Sequence, residues 1–157
     1  MGVDALAKAL DAIEAEPDRC DVLGPRDEGL VRAAEEALAV RLPPSYRQFV
    51  SRLGVVSVGP EEIYGVIRSD FANSGVPDAI WMTLRARAEW GLPASMVVVY
   101  FDGAEGYFVL DGRAQPIGSE WPVVAWYPGA STSDEALEVV ALDFGSFLLR
   151  IVEDQLA

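Results

Sequence analysis

The chain has no histidine, one cysteine (Cys20) and one lysine (Lys8). Without histidine, imidazole-based catalytic triads and histidine-ligated metal sites are excluded. With a single cysteine no intramolecular disulfide can form, and Cys20, which follows Pro17-Asp18-Arg19 in an expected loop, reads as an incidental thiol. Apolar runs are short as well. The longest, Met96 to Phe101, falls far below the roughly 20 residues a membrane-spanning helix needs. The first residues lack the basic stretch and apolar core of a secretory signal, and Leu6 stands where a myristoylation pattern has Ser or Thr. A cytoplasmic location is therefore the expectation. Basic charge is the last scarcity: 12 basic residues face 25 acidic ones, a net charge of −13. Nucleic acid and anionic membranes both need basic surface, so neither is expected as a direct partner.

What the chain does have is material for a core. Its 157 residues are 51% hydrophobic and 10% aromatic, enough for one domain over residues 1–157 with no metal or disulfide staple. The acidity is unevenly spread. Residues 1–40 carry ten acids and four bases, residues 41–93 five acids and six bases, and residues 94–157 ten acids and two bases. Acidic ends around a nearly neutral middle suggest an acidic face, provided the two ends meet in the fold.

Periodicity supplies the elements. Val3, Leu6, Leu10 and Ile13 recur at helical spacing, and the helix they predict ends near Glu16-Pro17. A loop is expected from Asp18 to Pro25, then a helix over about 27–39 with Leu30, Val31, Ala34 and Leu38 on one side. Pro44 opens a third helix that Gly54 stops. Short strands at Val55–Val58 and Ile63–Val66 flank Gly59-Pro60, and a polar loop runs from Arg68 to Pro77. Asp78 is placed to cap a helix through Trp90. The clearest strands, Met96–Phe101 and Tyr107–Leu110, are joined by the turn Asp102-Gly103-Ala104-Glu105-Gly106. Gln115–Gly118 reads as a short edge strand, Pro122–Trp126 as a further strand and Leu137–Leu142 as a last one. Asp143 caps a final helix carrying Phe144, Phe147, Leu148, Ile151 and Val152. The fold class is α+β: a largely antiparallel sheet of about five or six strands, packed with N-terminal helices and a C-terminal helix.

Candidate sites are few. Asp102, Glu105 and Asp111 cluster around one hairpin, where they form a solvated turn, an acidic contact loop or, least favoured, an acid–base pair. The oxygen ligands there are too few for a calcium loop. Glu61, Glu62 and Tyr64 lie at the neighbouring acidic turn, with Tyr64 either core or interface. Trp81 and Trp126 read as core. Trp90 and Trp121 are balanced between core and surface, and Trp121 follows Glu120, so an aromatic anchor ringed by carboxylates is conceivable. No phosphate-binding loop is present, and Ser57, Ser74 and Ser131 sit in no nucleophile-elbow context. No cofactor, no metal and no catalysis are expected.

Several local patterns, in order, resemble the SUKH superfamily, the Smi/Knr-like domain. A helix with Leu30, Ala34, Glu35 and Leu38 leads into Leu42-Pro43-Pro44-Ser45-Tyr46, then Phe49-Val50, Gly54 and Ile63-Tyr64-Gly65. Met96-Val97-Val98-Val99, Gly106-Tyr107-Phe108-Val109-Leu110-Asp111 and Pro122-Val123-Val124-Ala125-Trp126 follow, and Ala141-Leu142-Asp143-Phe144-Gly145-Ser146-Phe147-Leu148 closes the set. The resemblance covers about residues 27–152 and departs at Leu53-Gly54-Val55, where a glycine pair after Asn is usual. It implies function by binding: bacterial relatives are mostly similar to immunity proteins that neutralise a polymorphic toxin, often a nuclease or deaminase, while eukaryotic relatives act as regulatory scaffolds. On that implication the partner is a basic toxin domain, approached by a monomer or weak homo-oligomer, with Glu61, Glu62, Tyr64, Asp102, Glu105, Asp111, Glu120 and Trp121 as contact residues. A scaffold without any toxin is the alternative.

Overall fold

Four of the helices begin on a residue whose chemistry fits that position. The computed structural model describes residues 2–129 and 137–157, so Ser131 lies outside the described residues. Within them α1 spans Gly2–Glu14, β1 Cys20–Val22, α2 Glu28–Leu38, α3 Pro44–Leu53, β2 Val56–Val58 and β3 Glu61–Ile63. After a short 3-10 turn come α4 (Ala79–Trp90), β4 (Met96–Phe101), β5 (Tyr107–Asp111), β6 (Val123–Trp126), β7 (Val139–Ala141) and α5 (Phe144–Leu156). Asp27 accepts from the Leu30 N–H at 2.8 Å, Asp78 from Ile80 at 2.8 Å, and Asp143 from Ser146 at 2.7 Å. Each carboxylate satisfies a donor that the first helical turn leaves unpaired. Pro44 starts α3, where a missing N–H costs nothing.

The strands form two antiparallel sheets, β1-β2-β3 and β4-β5-β6-β7. The α+β class and the antiparallel pairing are as expected from the sequence, but the strands divide between two sheets. Tyr64 N–H, just past β3, donates to the Val99 carbonyl of β4 at 2.9 Å and ties the sheets together. Three local expectations are corrected. The segment from Asp18 to Pro25 is not all loop: Cys20, Asp21 and Val22 pair with Val58, Ser57 and Val56, and Cys20 is buried. The strand after Gly59-Pro60 starts at once, because those two residues make the whole hairpin turn and Glu61 pairs with Val58. Gln115–Gly118 is no strand. Its bonds are local, Gln115 N–H to Gly112 and Ser119 N–H to Pro116, which leaves Ile117 85% exposed.

The core lies between the helices and the sheets. Tyr46 and Phe144 meet edge to face with centroids 4.8 Å apart, and Phe49 joins them 5.0 Å from Phe144. The Tyr46 hydroxyl, fully buried, donates to the Tyr64 carbonyl at 2.8 Å. α1 and α5 run side by side in the same direction. Gly145, at the start of α5, lies so close to Gly2 that a Cβ there would sit 1.9 Å from the Gly2 carbonyl oxygen. At the other end Arg19, beyond α1, donates to the carbonyls of Gln155 and Leu156. The acidic ends of the chain therefore do meet.

Candidate functional site

β3 and the end of β4 face each other across the seam between the sheets. The residues that follow from this pairing, Glu61, Glu62 and Tyr64 on one side and Tyr100, Phe101 and Asp102 on the other, line a groove of about 260 Å³. Its floor is aromatic. Tyr64 is 6% exposed, and burial, helped by the Glu62 carboxylate, pushes its phenol up to about 12. The Tyr100 hydroxyl donates to the Glu61 carboxylate, and burial and that carboxylate together raise its phenol as well. Both phenols thus stay protonated at any ordinary pH. Phe101, 38% exposed, supplies apolar surface at the rim.

Asp102 holds the hairpin in shape. Its carboxylate accepts from Ala104 N–H at 2.8 Å and Gly106 N–H at 3.2 Å, so the turn is closed by its own side chain. Glu105 stands exposed on the same turn, outside the groove lining. Among the described residues no cation pairs with Glu61, Glu62, Asp102 or Glu105. Four arginines are engaged elsewhere: Arg47 with Glu28 at 2.6 Å and Glu35 at 3.2 Å, Arg52 with Glu14, Arg85 with Glu89, and Arg113 with Asp111.

Three candidates lie apart from this groove. Asp111 ends β5 and accepts from Arg113 through both oxygens, at 3.0 Å each, about 13 Å of strand away from Tyr107. Glu120 accepts from the Ser45 N–H at 3.2 Å and the Ser45 hydroxyl at 3.0 Å, and the same hydroxyl oxygen accepts from Gly145 N–H at 3.1 Å. Burial raises its carboxyl above the usual value, partly offset by those bonds. Trp121 is buried against Gly112, where a Cβ would come within 2.7 Å of the indole. Trp126 is buried as expected, whereas Trp81 is only half-buried, with Arg85 over its ring. Tyr100 and Phe101, which complete the groove, were not singled out from the sequence. The signal available was the change from the aliphatic run Met96–Val99 to two aromatics, Tyr100 and Phe101, immediately before the turn.

Among the described residues no group of three or more Cys, Asp or Glu is arranged to hold a metal ion, and no helix is long and apolar enough to cross a membrane. No match was found among curated proteins. A solved structure, "Crystal structure of protein from Pseudomonas syringae pv. tomato", is similar over 83% of this chain and 90% of that chain, with a TM-score of 0.57 and 19% identity. That likeness is one of fold. The model of a family described as SMI1-KNR4 cell-wall, SUKH_5, matches residues 6–153. With nearly the whole length matched, the chain belongs to the SMI1-KNR4 (SUKH_5) family.

Proposed function

We propose that this protein is a binding module of immunity type, which neutralises a basic toxin domain by docking it, one to one, on the groove between β3 and the β4–β5 hairpin. The observation that carries the reading is three carboxylates, Glu61, Glu62 and Asp102, left without a cationic partner around a floor of Tyr64 and Tyr100, with Glu105 a fourth on the adjoining turn. Tyr64 is buried and fixes the floor, while Tyr100 and the exposed Phe101 offer a partner rigid aromatic area at low entropy cost, and the carboxylates give a basic partner speed and register. The SUKH family, known for immunity-type domains, supports the same reading. Asp111, Glu120 and Trp121, each occupied by a contact within the chain, are left out of it.

The test is co-expression with the product of the adjacent gene, followed by binding kinetics. Protection against that product and a 1:1 complex are expected. The triple variant Glu61→Gln, Glu62→Gln, Asp102→Asn, which keeps the Asp102 turn acceptor, should slow association about tenfold at low salt. Absence of binding, or association indifferent to salt, refutes the neutralising role. Tight binding without protection would favour the scaffold alternative.

A further inference from the structure

We infer that the open edge of β1 is a second docking site, which takes an extended, basic segment of a partner protein as a fourth strand of the β1-β2-β3 sheet. The main chain carries the first part of the argument. Leu23 N–H donates to the Val55 carbonyl and Gly59 N–H to the Arg19 carbonyl, each at 3.0 Å. In an antiparallel pair bonded and non-bonded residues alternate, so Asp21 also turns its N–H and C=O toward β2. Cys20 and Val22 consequently turn theirs away from the sheet. Among the described residues no group bonds to them. β3, the other edge of this sheet, is joined to β4 through Tyr64, so β1 is where a strand can add.

The side chains say what kind of strand. On the face that Asp21 and Leu23 share with Ser57 and Val55 lies a hollow of about 320 Å³, lined also by Val22, Ile67 and Pro77. Val22 and Leu23 are 43% and 47% exposed, an unusual state for apolar residues on a sheet edge. Lysine and proline are among the residues that guard an open edge, and this three-residue strand carries neither; its one charge is the Asp21 carboxylate, which repels acidic chains and admits basic ones. Glu16, Asp18 and Asp21 precede or occupy the strand, against Arg19, whose guanidinium is held on the Gln155 and Leu156 carbonyls. A second copy of the chain is a poor occupant. Two antiparallel β1 strands centred on Asp21 would set that carboxylate against itself, between molecules of charge −13 each. Asp21 and Leu23 share one face of the strand, so an added strand that sets a basic residue beside Asp21 and, two places on, an apolar one beside Leu23 and the hollow fits both features.

The site is independent of the groove between the sheets, and its test keeps the two apart. The probe is a capped ten-residue peptide with lysine and valine in turn along one face and threonine along the other, added to the full-length protein while amide exchange is followed by NMR. Exchange at Cys20 and Val22 should slow by at least about tenfold, and N-methylation of alternate peptide residues should weaken binding about tenfold by removing the ladder bonds. Val22→Pro removes an outward N–H that β2 does not use and should weaken binding to a similar degree, whereas Glu61→Gln with Glu62→Gln should leave the protection at Cys20 and Val22 intact. Should Val22→Pro fail to fold, the N-methylated peptide on the unaltered protein decides. The inference is overturned if the peptide binds without protecting Cys20 and Val22, if the N-methylated peptide binds equally, if a glutamate-for-lysine peptide binds as well, or if no binding occurs up to millimolar concentration. Protection that grows with protein concentration alone would overturn it in favour of self-pairing.

Discussion

Glu120 sits where the N-termini of three helices, α1, α3 and α5, come together. Gly2 leaves it room, Ser45 binds it, and the Ser45 hydroxyl passes the contact on to Gly145. Each helix start carries a partial positive charge and unpaired donors, so one carboxylate there answers all three. Ser45 is fully buried, and Ser45→Ala strips both neighbours of a partner. Urea unfolding of that variant should show a loss of about 1–3 kcal/mol. Asp78 makes a similar case at α4: it is fully buried, one oxygen caps the helix, and the Ser74 hydroxyl lies beside it. Burial holds the Asp78 and Glu120 carboxyls above their ordinary values of 3.8 and 4.5. Above those values the folded chain therefore keeps protons that the unfolded chain has released. The stability these groups contribute is complete at the acidic end and is lost as pH rises through their raised values. Glu28, held low by Arg47, has the opposite sign and loses its contribution as pH falls below 4.5. Stability measured from about pH 4 to 6 should decline less steeply in Asp78→Asn, Glu120→Gln, a variant that keeps the hydrogen-bond acceptors.

At the scale of elements, the closest approaches are made by glycines. Gly145→Ala would drive a methyl group into the Gly2 carbonyl, and the backbone of α1 has to give way. A loss of about 1–3 kcal/mol is expected, with a lowered thermal midpoint as the readout. Phe144→Ala, removing the ring against which Tyr46 and Phe49 pack, should cost about 3–5 kcal/mol by the same assay. The helices and β4, β5 and β6 were legible in the sequence because each states its own ends: Asp27, Asp78 and Asp143 at the caps, Gly54 and Gly91 at the stops, Asp102-Gly103 at the turn. β1 was not legible. Cys20-Asp21-Val22 alternates for only three residues, too few to stand as a strand signal, and only the register with β2 makes them one. The same holds for the candidate residues. Glu61, Glu62, Tyr64 and Asp102 follow from two turns, but that these turns face each other depends on the Tyr64–Val99 bond between sheets. Glu120 looked like a surface acid because nothing local reveals three helix starts converging on it.

Over the whole molecule the acidic ends of the chain lie together, with Asp4, Asp11 and Glu14 on α1 and Glu153 and Asp154 on α5 all exposed. Self-repulsion at −13 opposes the folded state, and screening relieves it. Raising the salt from a few millimolar to about 0.2 M should therefore raise the thermal midpoint, while slowing association with a basic partner. Cys20, 8% exposed and with its thiol pushed up by burial, should react with alkylating reagents only as fast as β1 opens, which makes it a probe of that edge. The parallel packing of α1 on α5 has one more consequence, and it concerns order in time. A chain growing from its N-terminus makes the apolar stripe of Leu6, Leu10 and Ile13 first and the helix that covers it last. A contact of such long sequence separation is slow to form, and until it forms that stripe stays uncovered. The later helix is thus a clasp on the earlier one, and a nascent chain halted at Asp143 would remain unclasped, a client for chaperones.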